Sequence, residues 1–191
     1  DPLHLFDCVM PCAGAEGFLM MSVERARSLG LPFVTILASE ELYNAYPDDD
    51  IHYRGGWELF RDSLYDNASV GPKDIDLLHT YDDYPVIVML QIEDLGFCEK
   101  GGAAKFIKDT PLTWNGGGLP HNTTGGQLSA GQAGAAGGFL GMVEAIRQLS
   151  EAGLKNAVAD ANIALVSGYG MVIYDRCLSS NAAILCRGEH G

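Results

Sequence analysis

The sequence contains no Cys-x-x-Cys pair, no Gly-Lys-Ser/Thr behind its glycines, no Gly-x-Ser-x-Gly elbow and no His-Glu-x-x-His helix. These gaps argue against a zinc ribbon, a P-loop, a hydrolase nucleophile elbow and a zinc-dependent protease. The five cysteines (Cys8, Cys12, Cys98, Cys177 and Cys186) are odd in number and none has a histidine at ligand spacing, so neither a disulfide scaffold nor a metal site of its own is expected. All five read as packing residues, and Cys98 sits at a helix end whose dipole disfavours a thiolate. Basic residues are scarce: 12 Lys and Arg face 25 Asp and Glu, a net charge of −13. Such a surface repels nucleic acid and anionic membranes, although a few local cations or helix ends can still receive an anionic coenzyme such as CoA. No apolar run reaches the roughly 18 residues of a membrane span, and no charged-then-apolar leader opens the chain. A reduced, cytoplasmic protein is the expectation. An opening Asp1-Pro2-Leu3 without initiator Met leaves room for a longer polypeptide.

What is present fits one globular unit. The chain has 191 residues, 47% of them hydrophobic, enough to bury a core within a single domain. Ser22 to Gly30 reads as a capped helix closed by glycine, and Phe33 to Leu37 as a buried strand. Pro47-Asp48-Asp49-Asp50 reads as a solvated loop. Trp57, Phe60 and Leu64 recur at helical spacing, which predicts a helix to about Asn67. Ile75 to Tyr81 reads as a strand, and Pro85 opens a helix to Leu95-Gly96. Phe139, Met142, Val143, Ile146 and Leu149 form an apolar helical stripe that ends before Gly153. Ile163–Val166 and Ala182–Leu185 close the chain as strands, with a turn at Ser167–Met171 and Val172-Ile173-Tyr174 between them. Repeated β-α followed by β-β predicts an α/β layered fold.

Three clusters could carry chemistry. Ten of the 24 glycines fall between Gly116 and Gly141, and the loop Asn122 to Gly138 runs straight into the last helix, so its backbone N–H groups could face a phosphate or an oxyanion. The alternative is close helix packing that simply needs glycine. His79-Thr80-Tyr81-Asp82-Asp83-Tyr84-Pro85 lies at a strand end, where α/β folds gather ligands. It offers phenols to move a proton and carboxylates to orient them. Equally, Asp82 or Asp83 could cap the helix at Pro85. Ser167-Gly168-Tyr169-Gly170 presents a tyrosine between two glycines.

Taken in order, these residues resemble the C-terminal half of the thiolase superfamily, especially its sterol carrier protein X branch. The matches are Asp7-Cys8 with Ala13-Gly14-Ala15, the stretch from Leu78-His79 to Glu93-Asp94-Leu95-Gly96-Phe97-Cys98, and the Asn122 to Gly138 loop. The resemblance implies a layered α-β-α-β-α fold, with residues 1–30 ending the first half and residues 31–191 forming the C-terminal domain. Three polar positions depart from the thiolase pattern. The loop's Gly-His-Pro is here Gly131-Gln132-Ala133, the last glycine-rich turn has Ser167 for Cys, and the oxyanion-binding Asn or His falls on Tyr81. An amide cannot act as a base, so acyl-cysteine chemistry loses its support.

This set of changes resembles the steroid side-chain aldolases. It implies retro-aldol cleavage of a β-hydroxyacyl-CoA to a ketone and a shorter acyl-CoA, with no bound cofactor and CoA as part of the substrate. On this reading Tyr169 transfers the proton, Tyr81 binds or protonates the other centre, and Asp82 or Asp83 orients them. Tyr84 or Tyr174 could replace either tyrosine. Substrate contacts fall to Asn122, Gly131, Gln132, Tyr84, Gly168 and Gly170. The resemblance further implies a homodimer and a partner with an OB-fold and zinc ribbon, any zinc belonging to that partner. Thiolase activity, with Gln132 and Ser167 as tolerated replacements, and a non-catalytic acyl-CoA-binding subunit are the alternatives. Met10, Met20 and Met89 would suit a sterol wall but read as core.

Overall fold

The computed structural model describes residues 2–151, 153–173 and 176–188. The main elements run α1 (Val23–Ser28), β1 (Val34–Tyr43), α2 (Trp57–Ala68), β2 (Leu77–His79), α3 (Pro85–Asp94), α4 (Ala103–Asp109), α5 (Gly126–Ala130), α6 (Leu140–Ser150), β3 (Ile163–Ile173) and β4 (Arg176–Arg187). The strands form one sheet in the order β1-β4-β3-β2. β4 pairs antiparallel with β1 and β3, whereas β2 pairs parallel with β3.

Because successive strand residues point to opposite faces, the sheet builds two cores. Leu78, Leu165 and Ile184 meet Trp57, Phe60 and Leu64 of α2 and Val88 and Ile92 of α3 on one face. Leu77, Ala164, Val166 and Leu185 meet Ala145 and Leu149 of α6 on the other. Trp57, Leu64, Leu149 and Leu165 are wholly buried, each contributing roughly 1.5–3 kcal/mol by removal from water. Helices therefore cover both faces of a mixed sheet, as the α/β reading requires. Among the described residues no helix is long and apolar enough to cross a membrane. No group of three or more His, Cys, Asp or Glu there could hold a metal ion.

The helical periodicities translate closely: α2 begins at Trp57, and α3 begins with Pro85 in its first turn. Other expectations need correction. Ser167–Met171 is not a turn. It lies within β3, where Ser167, Gly168, Tyr169 and Gly170 pair with Ala182, Asn181, Ser180 and Ser179. Gly168 is required there because a Cβ would come within 2.5 Å of Asn181 Oδ1, the close approach that a glycine inside a strand commonly marks. Val172 and Ile173 continue β3, and Tyr174 lies outside the described residues. The β2 strand is short, since after His79 the chain turns to its ligation by side chains described below. α4 was hidden by the glycines and lysines around it. Met10 and Met20 are 60% and 75% exposed, and Cys12 is exposed as well, so they are not core. All three lie in the N-terminal segment, outside the two faces of the sheet.

Candidate active site

The site forms where β2 ends beside the middle of β3. The Tyr81 N–H donates to Ser167 O across the strands at 3.1 Å. Two buried amide side chains then fix the backbone beyond β2. Asn122 accepts from Thr80 N–H and donates to Thr80 O, both at 3.0 Å. Gln91 of α3 accepts from Tyr81 N–H at 3.2 Å and donates to Tyr81 O at 2.7 Å. Ser167 Oγ donates to the same Gln91 oxygen at 2.7 Å, tying β3 to the arrangement.

This frame places the Tyr81 and Tyr169 rings 5.8 Å apart and 30° from parallel. Trp57 stacks on Tyr169 at 6.2 Å, and the buried indole donates to Asn181 O at 3.1 Å, fixing that wall. Gln132 Nε2 donates to the Tyr81 hydroxyl. Gln132 is itself held by the N-terminal segment: its N–H donates to Met10 O at 2.8 Å and its carbonyl accepts from Cys12 N–H at 3.0 Å. Burial, and secondarily the charge of Asp83, raise the Tyr81 pKa, with Gln132 opposing them. The phenol therefore stays protonated at neutral pH and is a proton donor.

Asp82 takes a different place from the one expected of a cap for α3. Tyr84 is the residue at that N-terminus, without a side-chain cap, and is exposed. The Asp82 carboxylate instead accepts from Gln127 N–H at 2.8 Å and Leu128 N–H at 3.4 Å, capping α5. Gly126 makes room for it: φ is +65°, and a Cβ would fall 1.9 Å from Asp82 Oδ2, so only glycine fits. Asp83 has one buried carboxylate oxygen with no partner, and burial raises its pKa. Its carbonyl accepts from Val9 N–H at 3.1 Å. Gly131 closes α5, and Gly170 lies against Ser179 on the neighbouring strand.

A small cavity of about 20 Å³, room for about one water, is lined by Tyr81, His79, Asp82, Asn122, Gln127 and Ser167 among others. His79 is buried, and that burial brings its pKa down to about 4, so the imidazole is neutral. Sequence reasoning brought Tyr81, Tyr169 and Gln132 to one place, and the structure groups them. It missed Gln91 and His52. Gln91 was detectable as the one amide in the apolar run Val86–Ile92. His52 stands two positions past Pro47-Asp48-Asp49-Asp50, which reads as a solvated loop, and nothing in its neighbours marks it.

Burial, partly offset by hydrogen bonds from α5 and Asn122, lifts Asp82 to about 6, above an unfolded-state value near 3.9. The folded protein then binds more protons than the unfolded chain between about pH 4 and 6, so Asp82 favours folding as pH falls through that window and disfavours it as pH rises. Asp82→Asn in the full-length protein is expected to remove this contribution, on the order of 1–2 kcal/mol. The check is the urea midpoint at pH 4.5 and 7. Identical pH slopes for variant and parent would sink the idea.

Residues 60–185 match the family described as Thiolase C-terminal domain-like. The chain is 33% identical over 178 residues to a steroid side-chain-cleaving aldolase of Thermomonospora curvata, covering 90% of the chain and 44% of that protein. It is 32% identical over 180 residues to a 17-hydroxy-3-oxo-4-pregnene-20-carboxyl-CoA lyase of Mycobacterium tuberculosis, covering 90% and 45%. An acetyl-CoA acetyltransferase of Methanocaldococcus jannaschii is 26% identical over 179 residues, covering 91% and 45%. A solved Ltp2–ChsH2(DUF35) aldolase superposes with a TM-score of 0.74 at 29% identity, covering 98% of this chain and 48% of that one. The chain thus spans about half the length of the relatives it matches.

Proposed function

Since the chain belongs to the thiolase superfamily, carrying its C-terminal-domain-like fold, we propose that it forms about half of an acyl-CoA aldolase that cleaves a β-hydroxyacyl-CoA, with a steroid side chain as the acyl group. The observation that carries this reading is the stacked pair Tyr81 and Tyr169, with Gln132 donating to a Tyr81 phenol that burial keeps protonated. Two proton-handling phenols suit a reaction that removes a proton from one atom and returns it to another. The β-hydroxyl O–H breaks toward Tyr169 Oη, which hands on its own phenolic proton as it accepts and so stays neutral, and the O–H electron pair forms the ketone C=O. The Cα–Cβ pair moves into the thioester as an enolate, and Tyr81 gives its proton to Cα. Tyr81 then regains a proton from solvent, so no oxidant, reductant or cofactor is consumed.

Gln132, once Tyr81 turns to substrate, has an N–H available for the enolate oxygen. Asn122 and Gln91 act through the backbone by fixing where Tyr81 stands. The aldolase names of two relatives support the lyase reading over acyl transfer, and the DUF35-containing assembly supports a second subunit for this protein. The proposal includes self-association into a homodimer, a partner of OB-fold and zinc-ribbon type, and a cytoplasmic location.

The deciding experiment supplies the full-length protein, co-expressed with that partner, with a β-hydroxyacyl-CoA bearing a tertiary alcohol, and resolves the products by mass. A ketone and a shortened acyl-CoA are expected. Thiolysis of a 3-ketoacyl-CoA by free CoA, with no cleavage of the hydroxy compound, would replace this reading by acyltransferase activity.

A further inference from the structure

His52 lies against Tyr169. Its ring stacks on Tyr169 at 5.4 Å and 20° from parallel, and its Nδ1 stands 3.4 Å from the Tyr169 hydroxyl. Its Nε2 is buried and has no hydrogen-bond partner. A buried polar atom left unpaired calls for an explanation beyond packing.

The loop that carries His52 is held at several points. Arg54 makes two bonds of 2.9 Å to Asp49 and lies 3.6 Å over the Tyr46 ring. Gly55 N–H donates to Asp94 Oδ2 at 2.6 Å, and Gly56 N–H to Ser180 Oγ at 2.8 Å. The titratable and charged groups facing the imidazole are Tyr169 from β3, Lys100 from the segment after α3, and Asp49 from its own loop. Lys100 is paired with Asp94 and Glu93, and Asp49 with Arg54.

We propose that His52 is a positioning residue for Tyr169, holding its hydroxyl and taking the proton that the hydroxyl relays from substrate. This rests on the retro-aldol reading above. As the substrate β-hydroxyl gives its proton to Tyr169 Oη, the phenol's own proton passes to Nδ1, leaving a neutral phenol and an imidazolium. The imidazolium afterwards returns its proton to solvent. One proton leaves oxygen, one arrives on Cα from Tyr81, and no electrons are gained or lost. The 3.4 Å separation is long for a resting hydrogen bond and is of the kind that tightens when charge develops. Burial, reinforced by Lys100, lowers the His52 pKa, so the ring is neutral at pH 7 and able to accept.

The test uses full-length protein with 13Cζ-labelled tyrosine, the Tyr169 resonance being assigned by its loss in Tyr169→Phe. In the parent, the Tyr169 signal shows a step below pH 6.5 as His52 takes up a proton, and His52→Gln abolishes it. On the β-hydroxyacyl-CoA, His52→Gln lowers kcat about 10- to 30-fold with KM within about twofold. It has no further effect in a Tyr169→Phe background. His52→Asn repeats the titration if His52→Gln fails to fold. A Tyr169 titration identical with and without His52 overturns the proposal whatever the protein cleaves. A coupled titration in a protein that cleaves no hydroxyacyl-CoA instead supports the contact and overturns the retro-aldol reading.

Discussion

Tyr81→Phe in the full-length protein is expected to lower kcat for β-hydroxyacyl-CoA cleavage by about 10²- to 10⁴-fold, the range a positioned acid or base typically supplies. KM should change little. The substitution removes one hydroxyl and leaves the ring stacked on Tyr169. The backbone that carries it is fixed by Ser167 and Gln91, not by the phenol. The loss should therefore fall on chemistry alone, with the melting temperature nearly unchanged. Gln132 Nε2 loses its partner on Tyr81, but Gln132 is only partly buried, so water can replace the bond. Steady-state kinetics with mass detection of the ketone measures this, and a kcat within threefold of the parent would remove Tyr81 from the mechanism.

Gln91→Leu should instead be felt first in folding. Gln91 is wholly buried, and leucine matches its bulk without its polar atoms. The exchange strips partners from Tyr81 O and from Ser167 Oγ at once, whereas Tyr81 N–H keeps its bond to Ser167 O. An unsatisfied buried polar group costs about 1–3 kcal/mol, so a loss of about 2–4 kcal/mol follows, read as a lower urea midpoint at constant slope. Cleavage should fall too, because the Tyr81 ring is freed from its register with Tyr169. A midpoint shift worth less than about 0.5 kcal/mol would mean that Gln91 is replaceable packing.

The sequence made the fold readable where periodicity was strong. The spacing of Trp57, Phe60 and Leu64 and the apolar stripe ending at Leu149 each located a helix that the structure contains. It failed where glycine was read by its local habit alone: Gly168 and Gly170 suggested a bend, but in β3 they admit Asn181 and Ser179 from the next strand. Long-range contact of that kind leaves no mark on neighbours in sequence. The site was similarly half legible. Tyr81 stood out by its place at a strand end and Tyr169 by its flanking glycines, whereas Gln132 entered through the resemblance to the thiolase loop. Asp82 or Asp83 was expected to cap the adjacent α3, but the helix that Asp82 caps is α5, whose start at Gly126 lies 44 positions downstream of the carboxylate. His52 reaches Tyr169 across 117 positions, and no local pattern encodes such a meeting.

The placement of Tyr169 inside β3 makes the spacing of the two phenols a property of strand registry. Side chains in a strand alternate between faces, so a slip of one residue between β3 and β2 would carry Tyr169 to the opposite side of the sheet. A single-residue deletion upstream of Tyr169 within β3 would thus separate the pair while leaving every side chain of the site chemically intact. Changes of length in the surrounding loops carry no such penalty. The molecule's reactive geometry is counted in whole residues along one ladder.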